Sequence, residues 1–323
     1  MNAEADVEHA AESLLSADEL RLLQQRSDAK GLVRFGLHLA AVLGSGALYG
    51  ASLARSGHPL LTALLAVTLG FTLVTMFAAM HESVHRTAFK SRSLNDAAGW
   101  LAGLLSFYNS TFYRYYHGWH HRFTQIPGRD PELEDEKPTG FSSYFLELSA
   151  APWWLGKLRT YFKIASGNVE GYGFLNEQTR PAVVRSVRLQ LAVYGLAIAA
   201  SFGLGEALFV TYWLLPVAAA QPLLRAILLA EHTGCAESDD ALVNTRTTYT
   251  IFPIRFLMWE MPYHAEHHRY PALPFFALRA AHRRLKPKLA HLATGGYSSV
   301  HLGLLKAFAQ SPQTGSASRT EEN

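Results

Sequence analysis

Four long apolar runs limit the folds that this chain can adopt. They cover residues 35–54, 59–80, 189–205 and 207–230, and the only formal charge inside them is Arg225. Each run approaches the ~20 residues that a helix needs to cross a bilayer. Charged residues make up 17% of the chain, against roughly 25% in soluble domains. The runs therefore predict an all-α integral membrane protein with four transmembrane helices.

The short links between the runs predict that the four helices form two hairpins. Residues 55–58 join the first two runs, and Glu206 alone joins the last two. Lysine and arginine cluster at the outer ends of the runs, whereas the opposite loops carry only Arg55. The outer cluster consists of Arg21, Arg26, Lys30, Arg34, Arg86, Lys90, Arg92, Arg180, Arg185 and Arg188. Because positive charge favours the cytoplasmic side, we expect both termini and residues 81–185 in the cytoplasm.

Outside the runs, the chain divides into a soluble, helical N-terminal arm (1–31), a membrane domain (32–289) and a C-terminal segment (290–323). The arm carries acidic residues where a secretory signal needs positive charge. The last residues, SPQTGSASRTEEN (311–323), are small and polar, so we expect disorder there. The net charge of +3 and the absence of a basic stripe argue against nucleic-acid binding. The single cysteine, Cys235, excludes an intramolecular disulfide and a cysteine-held iron–sulfur centre.

Two further segments have a predicted location. The acidic run DPELEDEKP (130–138) is typical of a solvated loop. The segment PWWLGKLRTYFK (152–163) mixes tryptophans with basic residues, as in helices that lie at the headgroup level of a membrane. A helix that packs under the soluble cap would have the same composition, and both alternatives stay open.

Nine of the fifteen histidines are concentrated in four places. These are HESVH (81–85), HGWHH (117–121), His232 and HAEHH (264–268). Within a helix, residues three and four apart lie on one face, so each group presents its imidazoles together. The predicted hairpins place the ends of the second and fourth runs on the same side of the membrane. The four groups can therefore meet in a histidine-rich cap just outside the bilayer, on the cytosolic side.

This number of imidazoles predicts two metal ions rather than one. A zinc site needs three or four protein ligands, and neutral imidazole also suits iron, copper and nickel. Two redox metals beside a membrane would indicate oxygen chemistry on an apolar substrate. A metal carrier and a zinc-dependent membrane hydrolase remain as alternatives. A carrier should hold ionisable residues in several apolar runs, where only His38 and Arg225 occur.

The histidine groups, in this order and with two hairpins, resemble the membrane fatty-acid desaturase superfamily. The likeness extends over residues 32–289. The three residues between the histidines of HESVH, and the stretch HAEHHRYPALPFFALRAAH (264–282), resemble the acyl-lipid branch. The resemblance implies a di-iron centre, molecular oxygen as co-substrate, and two electrons from an outside donor.

The resemblance also implies which residues bind iron. The metal-ligand and catalytic role falls on nine histidines, namely His81, His85, His117, His120, His121, His232, His264, His267 and His268. One position departs from the related acyl-CoA branch, which has an asparagine four residues before the histidine at position 232 that holds an iron through water. Here that position is Leu228.

Acidic residues close to these histidines are candidates for orienting the imidazoles. They are Asp96, Glu231, Glu82 and Glu266, with Asp96 preferred because the Asn95-Asp96 pair recurs in similar bacterial proteins. For Glu82 and Glu266, a solvated helix face is an equal alternative. Arg225 lies seven residues before His232 and hence on the same helix face. We expect it to pair with an acid near the site or an anionic substrate group, or to extend to the lipid headgroups.

These expectations lead to a functional hypothesis. The chain would introduce a cis double bond into the alkyl chain of a fatty acyl lipid. A di-iron hydroxylase or ketolase of a lipid, carotenoid or alkyl substrate is the alternative. Electrons would come from a separate protein of the ferredoxin, rubredoxin or cytochrome b5 type, and the membrane would be the bacterial inner membrane. The basic stretch RRLKPK (283–288) would dock an acidic carrier or anionic lipid, or form a solvated helix end.

Overall fold

A computed structural model of the protein describes residues 14–134 and 137–310, which are almost entirely helical. The expected disordered tail at 311–323 and the first residues of the N-terminal arm lie outside this range. The helices are α1 (Ala17–Leu23), α2 (Asp28–Ala54), α3 (Pro59–Val74), α4 (Met76–Val84), α5 (Arg92–Ser106), α6 (Ser110–Phe123), α7 (Phe141–Leu148), α8 (Ala151–Ala165), α9 (Arg180–Gly203), α10 (Leu215–His232), α11 (Ala241–Asn244), α12 (Phe252–Leu257), α13 (His264–Arg269), α14 (Phe275–Leu285) and α15 (Gly296–Gln310). Single turns of 3₁₀-helix occupy Pro131–Leu133 and Lys286–Lys288, and a π-turn occupies Val210–Leu214. Strands β1 (Thr247–Thr248) and β2 (Leu292–Ala293) form a two-stranded parallel sheet.

Four helices are long and apolar enough to cross a membrane, which confirms the predicted fold class. They cover Asp28–Ala54, Pro59–Val84, Arg180–Gly203 and Val210–His232. In the most apolar stretch of each helix, only 17% to 44% of the residues are buried inside the protein. Their remaining surface is largely leucine and phenylalanine exposed around the bundle, as expected for helices that face lipid.

Helix α3 lies at the centre of the membrane helices, packed against α2 and α10. At its contact with α10, Gly70 lies against the backbone of Pro216. A Cβ atom added at Gly70 would lie 1.9 Å from the carbonyl oxygen of Pro216. The two helices therefore touch backbone to backbone, which only glycine permits at this position. Helix α9, by contrast, packs mainly against α8 and α6.

His38, the imidazole inside the first span, links that span to the rest of the fold. It is fully buried, and its Nε2 lies 3.0 Å from the carbonyl oxygen of Thr72 in α3. Its Nδ1 accepts a hydrogen bond of 3.2 Å from the indole N–H of Trp259, close before α13. Because a carbonyl requires a donor at Nε2 and the indole requires an acceptor at Nδ1, His38 has one defined neutral tautomer.

Helix α8 has one packed face and one exposed apolar face. Trp153 and Trp154 are half-buried against the core of the protein, whereas Leu155 and Phe162 are exposed. The segment predicted from its tryptophans therefore forms an amphipathic helix.

A cap of short helices closes the end of the bundle where α4 and α10 finish. The N-terminal arm is part of this cap, because Leu15 is fully buried in a cluster with Leu273 and Leu278. Glu19 of α1 also forms an ion pair with Arg284 of α14. The basic stretch 283–288 thus lies at the outer surface of the cap, with one of its arginines already paired.

Candidate metal centre

All nine histidines singled out in the sequence meet at one place, between the bundle and the cap. Helix α4 supplies one and its C-cap residue another, α6 supplies three, α10 one and α13 three. Seven of them are buried, and His85 and His121 are half-buried. The cap covers the ends of the membrane helices, so the imidazoles lie in a space from which bulk water is largely removed.

The first group contains five imidazoles. One ring nitrogen from each lies within 4.8 Å of the others. The Nε2 atoms of His117 and His121 are 3.0 Å apart, as are those of His121 and His267. The complete group is His81, His85, His117, His121 and His267.

The second group contains four imidazoles. Ring nitrogens of His120, His232 and His268 lie within 4.8 Å of one another. The Nε2 atom of His264 lies 3.2 Å from that of His232 and 3.1 Å from that of His268. The third box thus contributes to both groups, because α13 directs His267 to one side and His264 and His268 to the other.

The first group contains buried nitrogen atoms that have no hydrogen-bond partner in the structure. They are both ring nitrogens of His81, Nε2 of His85 and Nδ1 of His121. A buried polar atom without a partner costs about 1–3 kcal/mol, which is unusual in a well-packed protein. A neutral imidazole has one nitrogen with a free lone pair, which a bound cation would accept, so these rings fit a metal ion.

In the second group, hydrogen bonds at the far side of two rings fix the tautomer. His120 donates through Nδ1 to the carboxylate of Asp130 at 2.8 Å, and His232 donates through Nδ1 to the carbonyl oxygen of Asn244 at 3.2 Å. Each ring then has an unprotonated Nε2 that points into the group. This is the arrangement that metal-binding histidines normally adopt.

The electrostatic setting also favours unprotonated imidazoles. Burial, together with the neighbouring imidazoles, lowers the pKa of His85 to about 3. The same causes lower the pKa well below the ordinary range for His117, His121, His264, His267 and His268. At His120, burial also lowers the pKa, but the carboxylates of Glu132 and Asp130 outweigh burial and raise it. Most of the rings are therefore neutral at physiological pH and can donate a lone pair to a metal.

The interpretation of residues 130–138 as a solvated loop is wrong at its start. Asp130 is buried, and its Oδ2 accepts a hydrogen bond of 2.8 Å from the backbone N–H of Gln125. The turn that makes this possible has Gln125 at φ +62°, a conformation that the sequence does not reveal. The one sequence feature that indicated a turn here was the Asp130-Pro131 pair, because such a pair commonly begins a turn. Sequence reasoning thus missed the carboxylate that orients His120.

Asp96, the preferred acidic partner of the histidines, does not contact an imidazole. It is half-exposed and forms ion pairs with Arg86 at 2.9 Å and Arg114 at 2.8 Å. The prediction that Asp96 orients an imidazole is therefore wrong, because these two arginines lie on neighbouring elements and hold its carboxylate at the surface. The adjacent Asn95 is the buried member of the pair, and it bonds to the backbone of Phe89.

Glu82 and Glu266 are not solvated, which excludes one of their two alternatives. Both are buried, and neither is bonded to one of the nine histidines. Glu82 accepts a hydrogen bond of 2.8 Å from the backbone N–H of Phe275. Glu266 lies 2.5 Å from Nδ1 of His282 and accepts a bond from the hydroxyl of Thr247. These carboxylates therefore hold the cap together around the histidines.

The two remaining candidates lie on α10. Arg225 forms an ion pair with Glu147 of α7, in which its Nε donates to the carboxylate at 2.9 Å. Glu231 places its Oε2 3.4 Å from Nε2 of His264. Arg225 therefore pairs with an acid, as one of the predicted alternatives requires, and Glu231 lies beside the second group.

Replacement of Asp130 by asparagine should weaken metal binding. An amide has a single acceptor oxygen, so its NH₂ group would face either the Nδ1–H of His120 or the N–H of Gln125, and the hydrogen bonds that orient His120 would be weakened. The loss of such a partner typically lowers metal affinity by about 10–100-fold. Competition between purified, iron-loaded protein and a chelator measures this change. Glu134→Gln, an exposed change on the same segment, is the control; equal rates of iron release in the two variants would contradict the role of Asp130.

The sequence of the chain is similar to those of known proteins. The profile of the family described as "Fatty acid desaturase" matches residues 58–297. The "Omega-6 fatty acid desaturase, chloroplastic" of Brassica napus is 25% identical over 243 residues, which are 70% of this chain and 54% of that protein. The "sn-1 oleoyl-lipid 12-desaturase" of Picosynechococcus sp. is 25% identical over 284 residues, 82% of this chain and 79% of that protein. The "Dihydrorhizobitoxine desaturase" of Bradyrhizobium elkanii is 27% identical over 247 residues, 72% of this chain and 68% of that protein.

The chain thus spans about half the length of the chloroplastic relatives that it matches, and more of the others. The family profile, in contrast, covers most of the chain and includes every histidine of both groups. On this basis the chain belongs to the fatty acid desaturase family.

Proposed function

We propose that the protein is an oxygen-dependent di-iron desaturase that introduces a double bond into the alkyl chain of a fatty acyl lipid. The observation that carries the proposal is the division of nine imidazoles into two adjoining groups of five and four at the ends of membrane-crossing helices. A zinc hydrolase or a metal carrier would need only one group of about four ligands.

The proposed reaction converts two adjacent methylenes, dioxygen, two electrons and two protons into a double bond and two waters. Dioxygen is the oxidant, and two bound iron ions would activate it, which side chains alone cannot do. The nine histidines would hold the irons, His81 and His85 through nitrogens that otherwise have no partner. Asp130 keeps the ring of His120 in the ligand tautomer, and the hydroxyl of Tyr113 lies 3.2 Å from Nδ1 of His117 and positions that ring.

The protein would take its substrate from the bilayer. The bundle presents exposed apolar side chains along all four spans, and the centre lies at their ends, within reach of a chain that leaves the lipid phase. The similar proteins from Brassica and Picosynechococcus carry names that refer to fatty acids or an oleoyl lipid. A lipid-bound fatty acyl chain is therefore the proposed substrate class.

The proposed location is the bacterial inner membrane, with the centre and both termini in the cytoplasm. Electrons would come from a separate protein of the ferredoxin, rubredoxin or cytochrome b5 type. The exposed side chains of Arg283, Lys286 and Lys288 form a basic surface at the outside of the cap. An acidic carrier could dock there, because opposite charges steer association.

Expression in a lipid-producing bacterial host tests the function. We expect new unsaturated acyl chains, identified by mass spectrometry, that form only in the presence of oxygen. Purified protein should contain about two iron ions per chain, one for each histidine group. Hydroxylated products without unsaturation would favour a hydroxylase or ketolase instead. Stoichiometric zinc with activity in the absence of oxygen would overturn the proposal.

A further inference from the structure

Two carboxylates approach the second histidine group. Oε2 of Glu132 lies 3.6 Å from Nε2 of His120, and Oε2 of Glu231 lies 3.4 Å from Nε2 of His264. Both contacts are made to the ring nitrogen that faces the centre. Glu132 also lies close to the first group, because its oxygen and ring nitrogens of His117 and His120 are all within 4.8 Å of one another.

The Glu231 contact has the separation of atoms that share a metal, and the Glu132 contact is 0.2 Å longer. Two ligand atoms that each lie about 2.1 Å from one ion are about 3.0 Å apart at a right angle and about 3.4 Å apart at a tetrahedral angle. The Nε2 atoms of His264 and His268 are 3.1 Å apart, in the same range as the carboxylate contacts. The carboxylate oxygens therefore lie about as close to the imidazole nitrogens as those nitrogens lie to one another, as additional ligands of the same metal would.

The two carboxylates differ from the other acids near the histidines in their lack of alternative partners. Glu82, Glu266 and Asp130 all accept hydrogen bonds that hold the protein together. Oε1 of Glu231, in contrast, is buried with no partner. Among the residues that the structure describes, neither Glu132 nor Glu231 has a lysine or arginine within ion-pair distance. A buried carboxylate oxygen without a partner, such as Oε1 of Glu231, is costly, and a cation beside it removes the cost.

Both carboxylates are fixed relative to histidines of the second group. Glu231 directly precedes His232 at the end of α10. The backbone N–H of Glu132 donates to Asp130 at 2.9 Å, and the same carboxylate oxygen accepts from Nδ1 of His120. The position of Glu132 is therefore coupled to that of a ligand ring.

The charge and the number of ligands also call for carboxylates in the second group. Imidazoles contribute no negative charge, so two divalent cations held by the nine histidines alone would leave the buried centre strongly positive. The second group has one imidazole fewer than the first. Leu228, on the same helix as His232, has no atom that can bind a metal or a water.

We propose that Glu132 and Glu231 bind the metal of the second group through their carboxylate oxygens and complete a mixed histidine–carboxylate site. This inference rests on the proposed di-iron function. It makes the two metal positions chemically unequal, with five nitrogen ligands at one and nitrogen and oxygen ligands at the other.

The variants Glu132→Gln, Glu231→Gln and their combination test the proposal. Glutamine keeps the size of the side chain but removes its charge. The readouts are iron per chain and the Mössbauer spectrum of protein loaded with the Mössbauer-active isotope, neither of which depends on turnover. We expect the double variant to fall from about two irons to about one per chain, with loss of one of two quadrupole doublets. Each single variant should release one iron to a chelator at least about tenfold faster than the wild type.

Glu82→Gln is the matched control, because glutamine at this position still accepts the bond from the N–H of Phe275. If the Glu231 variant fails to fold, Glu132→Ala still decides, since the side chain of Glu132 is 32% exposed and supports little packing. Unchanged iron content, spectra and release rates in the variants, with an active two-iron wild type, would overturn this inference alone. A wild type that binds no iron would overturn the proposed function as well.

Discussion

Replacement of His267 by alanine should abolish desaturation while the protein still folds in the membrane. The ring of His267 lies among the first group, with Nε2 3.0 Å from that of His121 and ring centroids 4.7 Å and 4.6 Å from His81 and His85. Loss of this ligand should reduce the iron content of the group. Activity should fall by at least about 100-fold, because loss of a residue that only supports a metal ligand already costs about 10–100-fold. Product analysis and iron content measure both effects.

The control for this variant is His291→Ala, which removes a histidine of the cap that belongs to neither group. This protein should retain its iron and its activity. The fold of both variants is checked by size-exclusion chromatography and circular dichroism in detergent. Normal turnover by the His267 variant would show that the ligand assignment is incorrect.

Replacement of Gly70 by alanine should destabilise the whole bundle. The added Cβ would lie 1.9 Å from the carbonyl oxygen of Pro216 and 2.8 Å from the Cβ of Ala220, so α3 and α10 would have to separate. Overpacking of a core typically costs about 1–3 kcal/mol, and a clash with backbone should reach or exceed the upper value. Because α10 carries His232, the separation should also disturb the second histidine group. Thermal unfolding in detergent and iron content measure these changes.

Gly44→Ala is the matched control, since Gly44 also lies in a membrane-crossing helix but has no atom within 4 Å of an added Cβ. Alanine should be neutral there or slightly stabilising, because it is a better helix former than glycine. A Gly70 variant as stable as the Gly44 variant would contradict the close contact between α3 and α10.

The membrane helices and the histidines could be predicted because their signals are local. A run of apolar residues is enough to indicate a spanning helix, and imidazoles three and four residues apart share a helix face wherever that helix lies. His232 has no neighbouring histidine, so only its place directly after a predicted span singled it out, and the resemblance to a family then gave it the role of a metal ligand. Its position at the end of a predicted span agreed with that assignment.

The partners of the histidines could not be predicted because they depend on tertiary contacts. Asp130 reaches His120 only through a left-handed turn at Gln125. Asp96 was misassigned because Arg114 of a different helix holds it at the surface. The packing of α3 on α10 likewise joins segments that are far apart in sequence, which the two-hairpin scheme did not specify.

The five-histidine group combines ligands from opposite ends of the chain, which affects how the protein is made. His81 and His85 leave the ribosome before the last two spans, whereas His267 follows all four. The first hairpin is therefore already inserted while its ligands still lack their partner. The first group can be completed only at the end of synthesis, so the cell has to deliver the metal to a nearly finished chain.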